Sequence, residues 1–467
     1  MINLFSNNKS STEYDTGPLR DELFSGDQLT QHAKEIAGLY KIDTRKRQDR
    51  LLPRLSENEK ILLKTHDLLT IIIEGNRPIA PAGEWLLDNF YLVEEHIRTA
   101  RRHLPEEYSK ELPHLVNGPL EGYPRVYHIA QELIAHSDGR IDTETLFEFI
   151  DAYQSVRPLL LGELWAIPIM FRLALIENLR RVAVIISDNS HDRDTADYWA
   201  EKMIRVARED PKNLVLVLAD MARSDPPLTN AFVAEMSRKL QDQSESLLFP
   251  LTWMEQFLSE RNLTIDQMIN AEAQSQAADQ VSFGNSITSL RLLDTMDWRE
   301  FVERLSIVEQ TLRSDSADVY AAMDFETRDR YRHVVEEIAK KGGFSEEGVA
   351  QIAVDLAKQS RAGSDTNTRS SHLGYYLVDD GRNVFFKALS FQPSVTEQIK
   401  RIFRSHLLPL YFMGLVFITL VLIQFSFGWF TTYNWYISLI LLVLLLFPIS
   451  QSAIVVMNWL FTIALNP

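Results

Sequence analysis

Between residues 27 and 360 the apolar side chains recur every three or four positions. After Leu407 that rhythm gives way to an almost unbroken apolar tract. The first pattern predicts amphipathic helices over 27–40, 57–73, 84–102, 125–136 and 143–155. Residues 162–181 are apolar nearly all round, which predicts a helix central to a core. Later helices are expected over 193–208, 228–242, 250–259, 264–276, 297–313, 325–341 and 345–360, with Asp297 and Ser345 placed as N-caps. Pro78, Pro81, Pro105, Pro113, Gly118 and Pro124 punctuate the series. Tyr375-Tyr-Leu-Val, the Asp380-Gly381 turn and Asn383-Val-Phe-Phe alternate as a β-hairpin does.

The second pattern is read as membrane. Residues 407–467 contain no Asp, Glu, Lys or Arg. Two stretches, 405–430 and 434–456, are each long enough for a helix to cross about 30 Å of hydrocarbon. A buried core hairpin is the alternative, but soluble cores rarely run this far without a charge. Thr431, Thr432, Tyr433 and Asn434 separate the stretches, amid interfacial aromatics Trp429, Trp435 and Tyr436. Pro448 is expected to kink the second span or end it near Val456, leaving 457–467 as an interfacial end. Lys400, Arg401 and Arg404 precede the first span and no cation follows it, so the positive-inside rule puts residues 1–406 in the cytoplasm.

The fold class expected is therefore all-α: a predominantly helical cytoplasmic region with a short β-hairpin, then two C-terminal transmembrane helices. Its parts are a disordered tail (1–16), a helical region (17–271), a Gln/Ala/Ser-rich loop or linker (272–286), a second helical segment (287–359) and a second linker (360–372). The hairpin with its basic juxtamembrane segment (373–404) leads into the spans.

The net charge of −16 lies wholly before the spans and argues against nucleic acid as a partner, since phosphates need Lys and Arg to displace counterions. Cysteine is absent, so no disulfide or thiolate metal site exists. Residues 1–16 are polar and lack the apolar core of a signal peptide.

Candidate chemistry is sparse. His128, Glu132 and His136 share one helical face and can hold a metal if a further ligand and a dry pocket join them; structural histidines are the plainer expectation. Glu84, Asp88 and Glu95 fall near His96 and can do acid–base work, or form a solvated face with Arg98, Arg101 or Arg102. Asp192-Arg193-Asp194 after the run 182–186 has the form of a metal-binding Asp-x-Asp, but continued helix explains it more simply. Residues 215–219 can be a buried strand and, with 182–186, a small α/β unit. No Walker loop, Gly-x-Gly-x-x-Gly, Gly-x-Ser-x-Gly or His-Glu-x-x-His occurs. Catalytic, cofactor-binding and metal residues are each expected to be none.

Several passages carry a resemblance: Gly17-Pro-Leu-Arg with Glu22-Leu-Phe-Ser, the block 78–91, Gly162-Glu-Leu-Trp-Ala-Ile-Pro, Glu177-Asn-Leu-Arg-Arg, Asn285-Ser-Ile-Thr-Ser-Leu-Arg, Asp297-Trp-Arg-Glu-Phe and the block 323–332. Together the chain resembles the N-terminal region of the cyclic β-1,2-glucan synthases, inner-membrane glucosyltransferases of Gram-negative bacteria. The resemblance implies a family that polymerises glucose from UDP-glucose at a metal-dependent transferase domain and cyclises the product. No Gln-x-x-Arg-Trp acceptor motif is found here, and no catalytic residue of the family carries over. The expectation is a fragment or split-off part that ends before the transferase domain. Such a part has no cofactor of its own; UDP-glucose and a divalent metal belong to the missing domain. Its partners are the remaining transferase and membrane parts and the lipid bilayer. The helix around Arg328–Arg332 with Trp298, and the helix at 84–89, are the expected docking faces, or else ordinary ion pairs. A free-standing membrane-anchored adaptor or regulatory protein is the alternative, and a sugar-active enzyme built on Glu84, Asp88 and Glu95 a third reading.

Overall fold

The computed structural model describes residues 21–241, 243–315, 317–362, 369–392, 407–427 and 435–465. The expected tail at 1–16, the basic segment at 400–404 and the turn at 431–434 lie outside the described residues. The chain forms two compact units, residues 1–379 and 380–467.

The first unit is built from helices. They begin with α1 (Gly26–Leu39), α2 (Leu51–Glu74), α3 (Pro81–His103), α4 (Glu106–Glu111), α5 (Arg125–Ser137) and α6 (Thr143–Val156). A Ser25–Gln28 capping box starts α1, and Pro81 sits in the first turn of α3, where a missing N–H leaves no bond unmade. A two-stranded antiparallel sheet pairs β1 (Ile42–Asp43) with β2 (His114–Leu115), in register Ile42↔Leu115.

α7 (Leu161–Glu209) is the spine of this unit. The expected helices at 162–181 and 193–208 are one element, because no Pro or Gly breaks the sequence between them. At 1.5 Å per residue it runs about 70 Å. Its first half, through Ile186, packs with α2, α3 and α5 in one apolar core. Its second half, from Ala196, enters a separate core with α8 (Leu214–Ser224), α9 (Asn230–Leu240) and α10 (Leu248–Ser259). The strand weighed at 215–219 is thus helical: Leu214, Val217, Leu218 and Met221 are buried, the three-and-four spacing of a helix rather than the alternation of a strand.

α11 (Ile265–Thr295) runs straight through the linker expected at 272–286. Its Ala and Gln residues are good helix formers, and Asp279, Ser282, Phe283 and Ser286 turn inward at helical spacing. The small residues admit close neighbours: a Cβ on Gly284 would stand 3.3 Å from the Trp85 ring. Beyond it come α12 (Trp298–Leu305), α13 (Ile307–Arg313), α14 (Phe325–Gly342) and α15 (Glu346–Ala362). The two expected N-caps form. Asp297 accepts from the backbone N–H of Arg299 and Glu300 at 3.0 and 3.2 Å, and Ser345 from that of Gly348 at 3.1 Å.

The hairpin expected at 375–386 is absent; α16 (Leu373–Leu377) and α17 (Arg382–Ala388) stand there instead. Leu373, Tyr376 and Leu377 are buried at helical spacing, and the Tyr376 hydroxyl meets that of Ser360 at 2.6 Å, so burial overrides the alternation. α17 opens the second unit, which continues as α18 (Leu407–Phe427) and α19 (Trp435–Leu465).

α18 and α19 are long and apolar enough to cross a membrane, with the strongest windows at Leu408–Phe425 and Val443–Leu460. They pack on each other. A methyl on Gly414 would collide with the Met457 thioether, Ala453 is fully buried, and the Tyr411 hydroxyl donates to Asn458 Oδ1 at 2.9 Å. Small residues and an interhelical hydrogen bond are how apolar helices associate in lipid. α19 continues past Val456 to Leu465, so the helix break expected near Val456 does not occur; Pro448 is accommodated within the helix.

Candidate functional site

The histidine face of α5 is completed from elsewhere in the chain. The last carbonyls of a helix lack intrahelical donors, and in α5 the segment before α1 supplies them. The Asp21 N–H donates to Ala135 O at 3.2 Å and the Phe24 N–H to His136 O at 3.0 Å. This lays α1 beside α5 and brings His32 Nε2 to 2.7 Å from Glu132 Oε2. His136 Nε2 lies 3.8 Å from the same oxygen, and His128 Nε2 lies 3.4 Å from Glu132 Oε1. Phe24 stacks on the His136 ring, centroids 3.9 Å apart. Burial pushes the His128 imidazole below its usual pKa, against the pull of Glu132 and with the help of His32. Burial would raise the Glu132 carboxyl, but the His32 hydrogen bond and the charge of His128 bring it below the usual range. The sequence marked three members of this cluster; His32, a hundred residues from Glu132, gave no local signal.

The carboxylates of α3 gather no chemistry. Glu84, Asp88 and Glu95 are exposed while His96 is buried on the opposite side, where its Nδ1 accepts from Arg172 Nε at 2.9 Å. Burial drives His96 down to about 4, opposed by Asp294 and aided by Arg172. The Asp-x-Asp disperses as well. Asp192 Oδ2 accepts from the Thr229 hydroxyl at 2.7 Å, Arg193 pairs with Glu272 at 2.6 Å, and Asp194 pairs with Arg77.

In two of the charged blocks singled out by resemblance, side chains point inward. Glu177 is fully buried and accepts from Arg54 Nε at 2.9 Å, Asn58 Nδ2 at 2.7 Å, Arg180 at 2.7 Å and Arg181 at 3.3 Å. Burial would raise its carboxyl, but Arg54 and Arg180 hold it at about 2. Arg332, expected on a docking face, is fully buried and donates to Glu309 at 2.8 Å, Asp329 at 2.9 Å and Glu303 at 3.1 Å. Arg328 donates from one terminal nitrogen to both Glu303 oxygens at 2.8 and 2.9 Å, and Trp298 donates its ring N–H to Leu293 O at 2.9 Å. Of this expected docking face Arg332 is interior and Arg328 is spent on Glu303, while Trp298 is half-buried and Arg330 is exposed; a buried guanidinium needs such carboxylate partners. The other face, at 84–89, partly abuts α11: Asn89 Oδ1 accepts from Arg291 at 3.0 Å. The 285–291 block clamps the α5–α6 connection. Ser289 donates to Gly139 O at 2.7 Å and Asn285 to Asp138 O at 3.1 Å. Gly139 has φ +73°, and a side chain there would meet Ser286 Oγ at 2.7 Å.

A cavity of about 380 Å³ opens where the start of α7 meets α14 and α15. Tyr108, Glu163, Glu336, Lys340, Phe344 and Glu346 line it. Glu163 is committed to Arg125, whose Nε lies at 2.5 Å. Glu346 accepts the Leu161 N–H at 2.9 Å; burial pushes its carboxyl up to about 7, with Glu336 and Glu163 adding to the shift and the Leu161 bond opposing it. No sequence motif marked Glu346, which reads locally as an ordinary first-turn acid.

No protein-family profile matches the chain. Over 427 residues, 89% of its length, it is 30% identical to the cyclic β-(1,2)-glucan synthase NdvB of Rhizobium meliloti (strain 1021). The match spans 14% of that protein.

Proposed function

We propose, from the premise that this chain is homologous to one region of a cyclic β-(1,2)-glucan synthase, that it serves as the membrane-anchored helical scaffold of such an enzyme. In this reading glucosyl transfer from UDP-glucose is carried out by other parts of the assembly, and the first unit positions them. One observation carries the reading. Three of the stretches that resemble the synthases fall on internal joints of the fold: Glu177 with its arginines, Asn285 and Ser289 on the α5–α6 turn, and Arg332 with Glu303 and Glu309. Side chains spent on one another in this way shape a framework rather than a reaction centre. The proposed location is the bacterial inner membrane, with residues 1–406 on the cytoplasmic side. Lys400, Arg401 and Arg404 before the first span support that orientation.

The test is UDP-glucose-dependent glucan synthesis by membranes from a host without its own synthase. One sample carries this chain alone; a second carries the remainder of the related synthase; a third carries both. Product only in the third is the expected result. Product from this chain alone would place a transferase site within it and overturn the reading, as would equal product in the second and third samples.

A further inference from the structure

The geometry points to a transition-metal site of the zinc class formed by His32, Glu132 and His136, with His128 as the fourth ligand. The ligand atoms of the first three lie within 4.8 Å of one another. Zinc bonds of about 2.0–2.1 Å in a tetrahedron put neighbouring ligand atoms about 3.4 Å apart, and the three histidine contacts of Glu132, at 2.7, 3.4 and 3.8 Å, bracket that spacing. Each ring is prepared for the task. His136 Nδ1 is 2.7 Å from the Glu22 carbonyl oxygen, which only accepts, so that nitrogen carries the proton and Nε2 presents its lone pair. A metal-bound histidine fixed by a backbone carbonyl on its other nitrogen is the usual outer arrangement of such sites. Phe24 holds the His136 ring face-on and meets the His32 ring edge-on at 5.4 Å between centroids, which leaves both imidazoles little rotational freedom.

His128 supplies an independent observation. Its residue is 2% exposed, and its Nε2 is buried without a hydrogen-bond partner, directed toward Glu132 Oε1. A buried ring nitrogen left unmatched is costly in a purely structural cluster; a metal would satisfy it. The side chains of Glu132 and His32 remain 25% and 19% exposed, which gives an ion a path in. Three imidazoles and a carboxylate suit zinc and its neighbours in the first transition row, not magnesium or calcium, which take oxygen ligands. On binding, the proton held between His32 Nε2 and Glu132 Oε2 would leave to solvent, and the two ligand atoms would separate from 2.7 Å toward the tetrahedral spacing. The site would pin the segment before α1, and α1 itself, to α5.

The experiment is a cobalt(II) titration of the untagged full chain in detergent, after chelator treatment, followed by displacement with zinc. One equivalent of cobalt with the intense visible absorption of four-coordinate geometry, displaced by zinc, is expected. Glu132→Gln, His32→Ala and His136→Ala each lower the affinity by at least about tenfold, the effect that loss of an outer partner alone can have. His128→Asn, which keeps a polar group of similar size, is expected to weaken binding and change the absorption band. Circular dichroism of each variant separates loss of a ligand from loss of fold. Failure of the wild-type chain to take up one equivalent would overturn the assignment without recourse to any variant. So would uptake left unchanged in folded Glu132→Gln.

Discussion

α7 passes through two cores that are held together differently. The proximal core, around Leu161–Ile186, surrounds fixed charges: Glu177 among three arginines, Glu163 with Arg125, and Arg172 with Asp294. The distal core, around Ala196–Met268, is packed with Met203, Met221, Met236, Met254 and Met268 beside Phe232 and Trp199. A buried charge accepts few arrangements of its partners, whereas a methionine fills a gap of almost any shape. All the passages that resemble the glucan synthases lie outside residues 182–284, hence outside the distal core. The blocks that resemble the synthases most plainly thus lie where the chemistry is most demanding, although the match as a whole covers 89% of the chain and reaches into the distal core.

The largest effect that would break this contrast is at Glu177. Glu177→Ala removes the buried acceptor shared by Arg54, Arg180 and Arg181, and breaking such a buried pair costs about 3–5 kcal/mol. Urea unfolding of the full chain in detergent, followed by hydrogen exchange in α2 and α7, should show that loss in the proximal core first. A loss below about 1 kcal/mol would mean that the charges there do not specify the packing.

Glu346, bonded to the proximal start of α7, gives the next effect. Its folded-state pKa of about 7 stands above the ordinary 4.5, so the native state holds the proton more tightly than the unfolded chain. That contribution to stability is complete below about pH 4.5 and is lost as the pH rises through 7. It amounts to something on the order of 3 kcal/mol. Glu346→Gln keeps an acceptor for the Leu161 N–H and should flatten the stability profile between pH 5 and 7 relative to wild type. Parallel profiles for the two proteins would refute the assignment. The smallest effect belongs to the distal core. Met236→Leu, nearly volume-conserving in a fully packed site, should cost less than about 1.5 kcal/mol by the same urea measurement. A loss matching that of Glu177→Ala would erase the distinction between the cores.

Much of this could be read directly from the chain. The expected ranges for α1, α3, α5, α6 and α14 fall within about three residues of the observed ones, and Asp297 and Ser345 cap as expected. The misses share a cause. The Asp380-Gly381 signal describes a turn without saying what its flanks bury. The Ala/Gln/Ser composition of 272–286 suits both a linker and a helix pressed against large neighbours. Arg328 and Arg332 look like surface cations until Glu303 and Glu309 are brought to them, and His32 has no tie to Glu132 along the chain.

By itself, then, the sequence determined what depends on neighbours within a turn or two: the helices, their caps and the two charge-free spans. Those follow from a period of 3.6 residues and from hydropathy, which act locally. Only the tertiary structure decided which charges are interior, that 161–209 is one helix serving two cores, and that three histidines and a glutamate from α1 and α5 converge. Each of these rests on atoms brought within a few ångströms from distant positions, where burial rather than propensity sets the energy.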